Sequence, residues 1–145
     1  MANALYDKAR ESFLGQNPAL DWDTDTIKCT LIDIANYTVN LSTHQYMNTN
    51  TVATSAKVGT PQTLGSKTVA NGVADAADLT YSAVTGASVE ALIIWKDGGG
   101  GGTSASGTTD PLIAYIDSAT GLPVTPNGGD ITVTWDNGSN RIFKL

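Results

Sequence analysis

The sequence predicts a mainly β protein: a single antiparallel β-sandwich of about eight strands, jelly-roll-like in outline, with a short N-terminal helix. Three observations predict it. Apolar and polar residues alternate in short runs that recur at roughly 8- to 15-residue intervals, punctuated by Gly, Asn and Pro. Charged residues make up only 15% of the chain, against about 25% in ordinary soluble domains, and Thr, Ser, Asn and Gly fill the polar positions. Helical periodicity occurs once, at the start. Thr is β-branched and suits the solvent side of a pleated strand. A chain of 145 residues buries roughly two-thirds of its unfolded surface without needing disulfide staples. The pattern divides it into a helical arm over residues 1–25 and a β-sandwich over residues 26–145.

In the arm, Leu5, Ala9 and Phe13 recur every four residues, Tyr6 and Arg10 repeat the interval, and Gly15 stands where a helix C-cap belongs. So short a helix is marginal alone and must lay its stripe against its own sheet or a neighbouring subunit. Gln16-Asn17-Pro18 ends it. Trp22, set between Asp21 and Asp23, is expected to anchor the arm to the sandwich or to a partner chain.

Every later element reads as a strand. Ile27, Cys29 and Leu31 alternate with Lys28 and Thr30 before Ile32 and Ile34 take the other face, which predicts burial on both sides or a bulge. Tyr37, Val39 and Leu41 form a shorter alternating set, and residues 42–51 form a polar loop. Residues 53–58 and 63–69 are weak strands, the second leading to the turn pair Asn71-Gly72. Leu79, Tyr81 and Ala83 mark a half-buried strand closed by Gly86. Val89, Ala91, Ile93 and Trp95 face one way while Leu92 and Ile94 face the other, which predicts the central strand. Residues 112–117 give another. Finally Ile131, Val133 and Trp135 alternate with Thr132, Thr134 and Asp136, Asn137-Gly138 suits a type I′ turn, and residues 141–144 return. The expectation is a C-terminal hairpin paired within a sheet up to Leu145, because unpaired termini fray.

The charge pattern argues against nucleic acid: the net charge is −6 and the eight Lys and Arg are scattered. No apolar run approaches the length of a membrane span, and the N-terminus lacks the basic-then-apolar order of a secretory signal, so a soluble chain is expected. Cys29 is the one cysteine and is expected to be a buried thiol.

The chemistry-bearing patterns are weak. The glycine run at residues 98–102 lacks the Gly-Lys-Ser/Thr ending of a phosphate loop and is expected to be a flexible connector. Asp21, Asp23 and Asp25 imitate the start of a calcium loop, but Thr26 stands where its glycine belongs and Ile32 where its glutamate belongs. They read as solvated charges on an extended edge. His44 is the only histidine, with no zinc set and no Gly-x-Ser-x-Gly elbow to complete a catalytic group. No catalytic, cofactor-binding or metal-binding residue is expected, and no cofactor. Trp95 and Trp135 occupy core-phase positions, whereas Trp22 and Tyr46 are the aromatic residues a sugar-binding surface would use.

The opening residues 1–8 with Phe13-Leu14, the run at residues 21–28, the run at residues 112–117, and above all Gly121-Leu122-Pro123 through Asp130-Ile131 carry a resemblance. Over nearly the whole chain the sequence resembles a family of small virion proteins of tailed bacteriophages and prophages. The resemblance implies a non-enzymatic virion structural protein. The reading it favours is a head decoration, or cement, protein made in the host cytoplasm and bound to the major capsid protein on the capsid surface. The threefold sites of capsid lattices make a homotrimer the natural oligomer. A tail or neck structural protein and a carbohydrate- or receptor-binding module of a fibre are the alternatives. Leu5, Tyr6, Phe13 and Trp22, on the arm, are the expected partner-binding residues.

Overall fold

Residues 3–145 are described by the computed structural model, and they form ten strands and one α-helix, with every strand pair antiparallel. Met1 and Ala2, part of the expected arm, lie outside the described residues. In chain order the elements are β1 (Ala4–Leu5), α1 (Asp7–Phe13), β2 (Ile27–Ile32), β3 (Lys57–Thr63), β4 (Thr68–Ala70), β5 (Val73–Asp75), β6 (Leu79–Tyr81), β7 (Ala91–Lys96), β8 (Leu112–Ile116), β9 (Ile131–Val133) and β10 (Phe143–Lys144). They make a five-stranded sheet in the order β1-β8-β7-β2-β3, a three-stranded sheet β10-β5-β4 and a pair β6-β9.

The five-stranded sheet carries the core. Its central strand is β7, as the two-faced apolar pattern predicts, and Ala91 to Trp95 are all buried. The β2 strand is buried on both faces and also carries a register shift against β3 between Cys29 and Leu31, so both expectations for it hold. Polar atoms within the core are paired: the Trp95 indole N–H donates to Thr30 Oγ1 at 2.8 Å, and the Tyr81 hydroxyl donates to the Cys29 carbonyl at 2.8 Å. Each such bond offsets the cost of burying its donor. Pro61 lies on β3, an edge strand, where its missing N–H leaves no ladder bond unmade.

The C-terminal hairpin does not form. β9 pairs with β6, Leu79 opposite Val133, while β10 pairs with β5, Phe143 opposite Ala74. Trp135 diverts the chain between them: its backbone N–H donates to Asp78 Oδ1 at 2.9 Å and its indole N–H to the Ala77 carbonyl at 3.1 Å. Buried as expected, it ties β9 to the segment before β6. The Asn-Gly hairpin is elsewhere. Asn71 and Gly72 both have positive φ, 55° and 77°, and connect β4 to β5 with Ala70 opposite Val73. That is the type I′ arrangement which the sequence pointed to at residues 137–138.

Two weaker expectations also shift. Tyr37, Val39 and Leu41 lie in a loop, not a strand, and residues 54–56 make a 3-10 turn that precedes β3. The first residues of the arm belong to the main sheet: β1 pairs with β8, the Tyr6 N–H donates to the Ile113 carbonyl at 3.0 Å and the Asp7 N–H to the Leu41 carbonyl at 2.9 Å. Asn3 Oδ1 accepts the backbone N–H groups of Asp117 and Ser118 at 3.0 and 2.9 Å.

Candidate functional site

Three of the four exposed large apolar side chains among the described residues, Leu14, Val69 and Leu145, line the clefts where α1 meets β10. The helix follows directly from β1, and its end is fixed by Gly15 at φ 106°, with the Gln16 N–H returning to the Glu11 carbonyl at 3.0 Å. This cap holds Leu14 clear of the protein at 88% exposure. Leu145 and Val69 are exposed at 61% and 57%. Between them the rings of Phe13 and Phe143 lie 6.0 Å apart, and Trp22 meets Phe143 edge to face at 5.1 Å.

Two shallow clefts sharing Phe13 and Leu145 divide this face. One, of about 320 Å³, is lined by Leu5, Arg10, Phe13, Leu14, Lys144 and Leu145. The other, of about 250 Å³, is bounded by Leu20, Trp22, Val69 and Phe143. Arg10 Nη1 reaches Asp7 Oδ1 at 3.0 Å and the Leu5 carbonyl at 3.2 Å. Lys144 has no ion pair among the described residues. An apolar floor with a charged rim, the Arg10–Asp7 pair on one side and Lys144 on the other, is a composition that suits a protein-binding surface.

The four expected partner-binding residues fare differently. Leu5 is 5% exposed, Tyr6 0% and Trp22 4%, each buried largely within its own chain, while Leu5 and Trp22 still line the two clefts. Sheet pairing buries Leu5 and Tyr6. Trp22 anchors its segment to the chain itself, its indole N–H donating to the Asp75 carbonyl at 3.1 Å, and its covered faces leave no platform for a sugar. Phe13 alone is half-buried and borders both clefts. Leu14 escaped the sequence reading because it lies off the four-residue stripe. An apolar residue outside the stripe, just before the capping glycine, was the available signal.

The glycine run is not a loose connector. Asp110, 4% exposed, accepts the N–H groups of Gly98 and Gly100 at Oδ1 (3.0 and 3.1 Å) and of Gly102 at Oδ2 (2.7 Å). Asp97 Oδ1 accepts those of Gly99 and Gly101 at 3.0 and 3.1 Å. Five successive donors therefore converge on two carboxylates. Lys28 bonds Asp97 at 2.7 Å, and this contact first, then the loop's N–H groups, holds the Asp97 carboxyl below the usual range. Lys57 donates to the carbonyls of Gly102 and Met47. Glycine is required at position 98, where a Cβ would lie 2.0 Å from the Thr109 carbonyl oxygen.

The three aspartates of residues 21–25 form a turn, not an extended edge. Asp21 Oδ1 accepts the N–H groups of Asp23 and Thr24, Asp25 Oδ2 accepts that of Asp21, and Asp25 pairs with Lys96 at 2.8 Å. Among the described residues, no group of three His, Cys, Asp or Glu is placed to hold a metal ion, and no helix is long and apolar enough to cross a membrane. His44 ends a short polar chain: its Nδ1 lies 2.9 Å from the Tyr37 hydroxyl, which lies 2.9 Å from the Tyr6 hydroxyl. Burial lowers the His44 pKa and raises those of both tyrosines, so the neutral forms are favoured. A further cleft of about 310 Å³ between Leu31, Val89 and Leu92 and the residues 119–124 and 130–134 contains one titratable group, Asp130, whose Oδ1 holds the Ala83 N–H at 2.9 Å.

No protein-family model and no curated protein matches this chain.

Proposed function

We propose that the protein is a bacteriophage virion structural protein, a decoration or cement protein on the capsid surface, made in the host cytoplasm and bound to the major capsid lattice. It acts by binding, without catalysis, cofactor or metal. The observation that carries this reading is the apolar face around Leu14: a fixed, 88% exposed leucine beside two clefts is a surface suited to being covered by protein. The sequence resemblance supplies the kind of assembly. We read the three sheets as a jelly-roll-like sandwich, a stiff body suited to clamping neighbouring lattice subunits, and a homotrimer as the oligomer matching a threefold lattice site. Repetition over a shell multiplies weak contacts by avidity.

The experiment is decoration of shells that lack this protein. Purified wild-type chain is expected to bind and raise the temperature at which the shells rupture, and Leu14→Asp to bind at least about tenfold more weakly. Absence of wild-type binding to heads, with binding to tails or necks instead, would move the protein to the alternative location.

A further inference from the structure

Asparagine followed by glycine occurs three times, at residues 71–72, 127–128 and 137–138. A glycine in that place, lacking a side chain, leaves its backbone nitrogen unhindered to attack the preceding side-chain amide and close a five-membered ring. The fold treats the three pairs differently. Asn71-Gly72 is the turn between β4 and β5, with paired strands on both sides and the Gly72 carbonyl accepting the Leu145 N–H at 2.9 Å, so Asn71 cannot rotate without opening the sheet. Gly128 spends its N–H on the Val84 carbonyl at 2.8 Å, which ties up the attacking nitrogen. Residues 137–140 belong to no strand and are exposed, and the Gly138 N–H donates to no group among the described residues. Arg141 Nη1 donates to Asn137 Oδ1 at 2.9 Å, and Asp75 Oδ2 faces the same guanidinium nitrogen at 3.5 Å.

We propose that Asn137-Gly138 is a self-modification site, where the Gly138 nitrogen attacks the Asn137 side chain and Arg141 stabilises the charge that builds on Oδ1. The Gly138 amide gives its proton to solvent, and its nitrogen forms a bond to Asn137 Cγ. The electron pair displaced from the C=O bond makes an oxyanion of Oδ1, and the Arg141 N–H already stands at the distance that stabilises one. When the C=O bond re-forms, the Cγ–Nδ2 bond breaks, and the nitrogen takes up a proton and leaves as ammonia. The product is a succinimide. Water adds to either of its carbonyls and opens the ring to aspartate or isoaspartate. The sum is water in and ammonia out, with no change of oxidation state and no other reagent. An aspartate at this position meets Arg141 as a carboxylate, so the neutral contact becomes a charge-assisted one. This chemistry needs no partner and is independent of the capsid role.

Ageing the purified full chain in mildly alkaline buffer provides the test, read by mass spectrometry of proteolytic peptides and by an isoaspartate assay. In the native protein Asn137 is expected to gain the mass of exchanging NH2 for OH, with aspartate and isoaspartate both appearing. It should convert at least about tenfold faster than Asn71 and Asn127, which react only after local opening. In denaturant the three sites are expected to convert at similar rates, since they share one dipeptide. Arg141→Met removes the donor and is expected to slow the conversion of Asn137 about tenfold, while Arg141→Lys keeps part of the rate. Gly138→Ala hinders the attacking nitrogen and is expected to slow it as well. Unfolding midpoints well above the ageing temperature establish that the variants age in the folded state. Asn71 or Asn127 converting as fast as Asn137 in the native protein, aspartate without isoaspartate, or Arg141→Met ageing at the wild-type rate would each overturn the proposal.

Discussion

Asp110 Oδ2 accepts the backbone N–H of Gly102 at 2.7 Å, deep enough that a Cβ on Gly102 would sit 3.2 Å from the Trp95 ring. Through this bond the glycine run becomes part of the wall of the five-stranded sheet.

Asp110→Ala should therefore lower stability by about 1 to 3 kcal/mol, since it leaves the buried Gly102 N–H and the part-buried Gly98 and Gly100 N–H groups without their acceptor. Asp110→Asn should recover part of that. Gly98→Ala should cost about 1 to 3 kcal/mol by driving a methyl into the Thr109 carbonyl. Denaturant unfolding checks all three, and unchanged midpoints would return the run to a loose connector.

Much of the main sheet was legible in the sequence: burial on both faces leaves the unbroken apolar run Ala91 to Trp95, and in β2 the alternation of Ile27, Cys29 and Leu31 with Lys28 and Thr30 gives way to Ile32 on the other face. The glycine run misled because its partners, Asp97 and Asp110, are two of fourteen acids with nothing local to mark them. The hairpin misled because Asn-Gly permits a type I′ turn wherever it occurs, and only long-range pairing selects Asn71-Gly72 over Asn137-Gly138. The apolar face was half legible: its stripe was visible, but which of its residues stay uncovered depends on where β8 and β10 fall.

Gly72→Ala should cost about 1 kcal/mol or more, because φ of 77° strains an L residue and its Cβ would approach the Leu145 carbonyl oxygen to 3.1 Å. Gly138 has no positive φ, and its closest obstacle is the Asp136 side chain, which can turn away. Gly138→Ala should thus cost less. Equal losses in thermal unfolding would contradict the placement of the hairpin.

Trp22→Ala should destabilise the chain by about 3 to 5 kcal/mol through lost packing on Phe143 and an unpaired Asp75 carbonyl. Glycan binding should be absent from the wild type when screened. A stable Trp22→Ala variant that lost a bound glycan would reverse the assignment of Trp22 as an anchor.

His44 gives a pH dependence with a fixed sign. Burial lowers its pKa from the ordinary 6.5, so below that pH the unfolded chain takes up a proton that the folded chain resists. Its contribution is complete above about pH 6.5 and is lost as the pH falls through the folded pKa. Stability measured from pH 7.5 down to 5 should decline less steeply in His44→Gln than in the wild type; parallel curves would refute this.

Cys29 is fully buried, and burial pushes its thiol pKa up to about 12. A thiol reagent at neutral pH should leave the native protein unmodified and label one site per chain after denaturation. Rapid labelling of the folded protein would contradict the packing of β2 against β7.

The proposed role in coating a capsid is tested by the copy number of this chain in purified particles. Quantified protein bands, normalised to the major capsid protein, should give hundreds of copies per head. About a dozen or fewer would assign it to a neck or tail, and none in the particle would contradict a structural role in the virion.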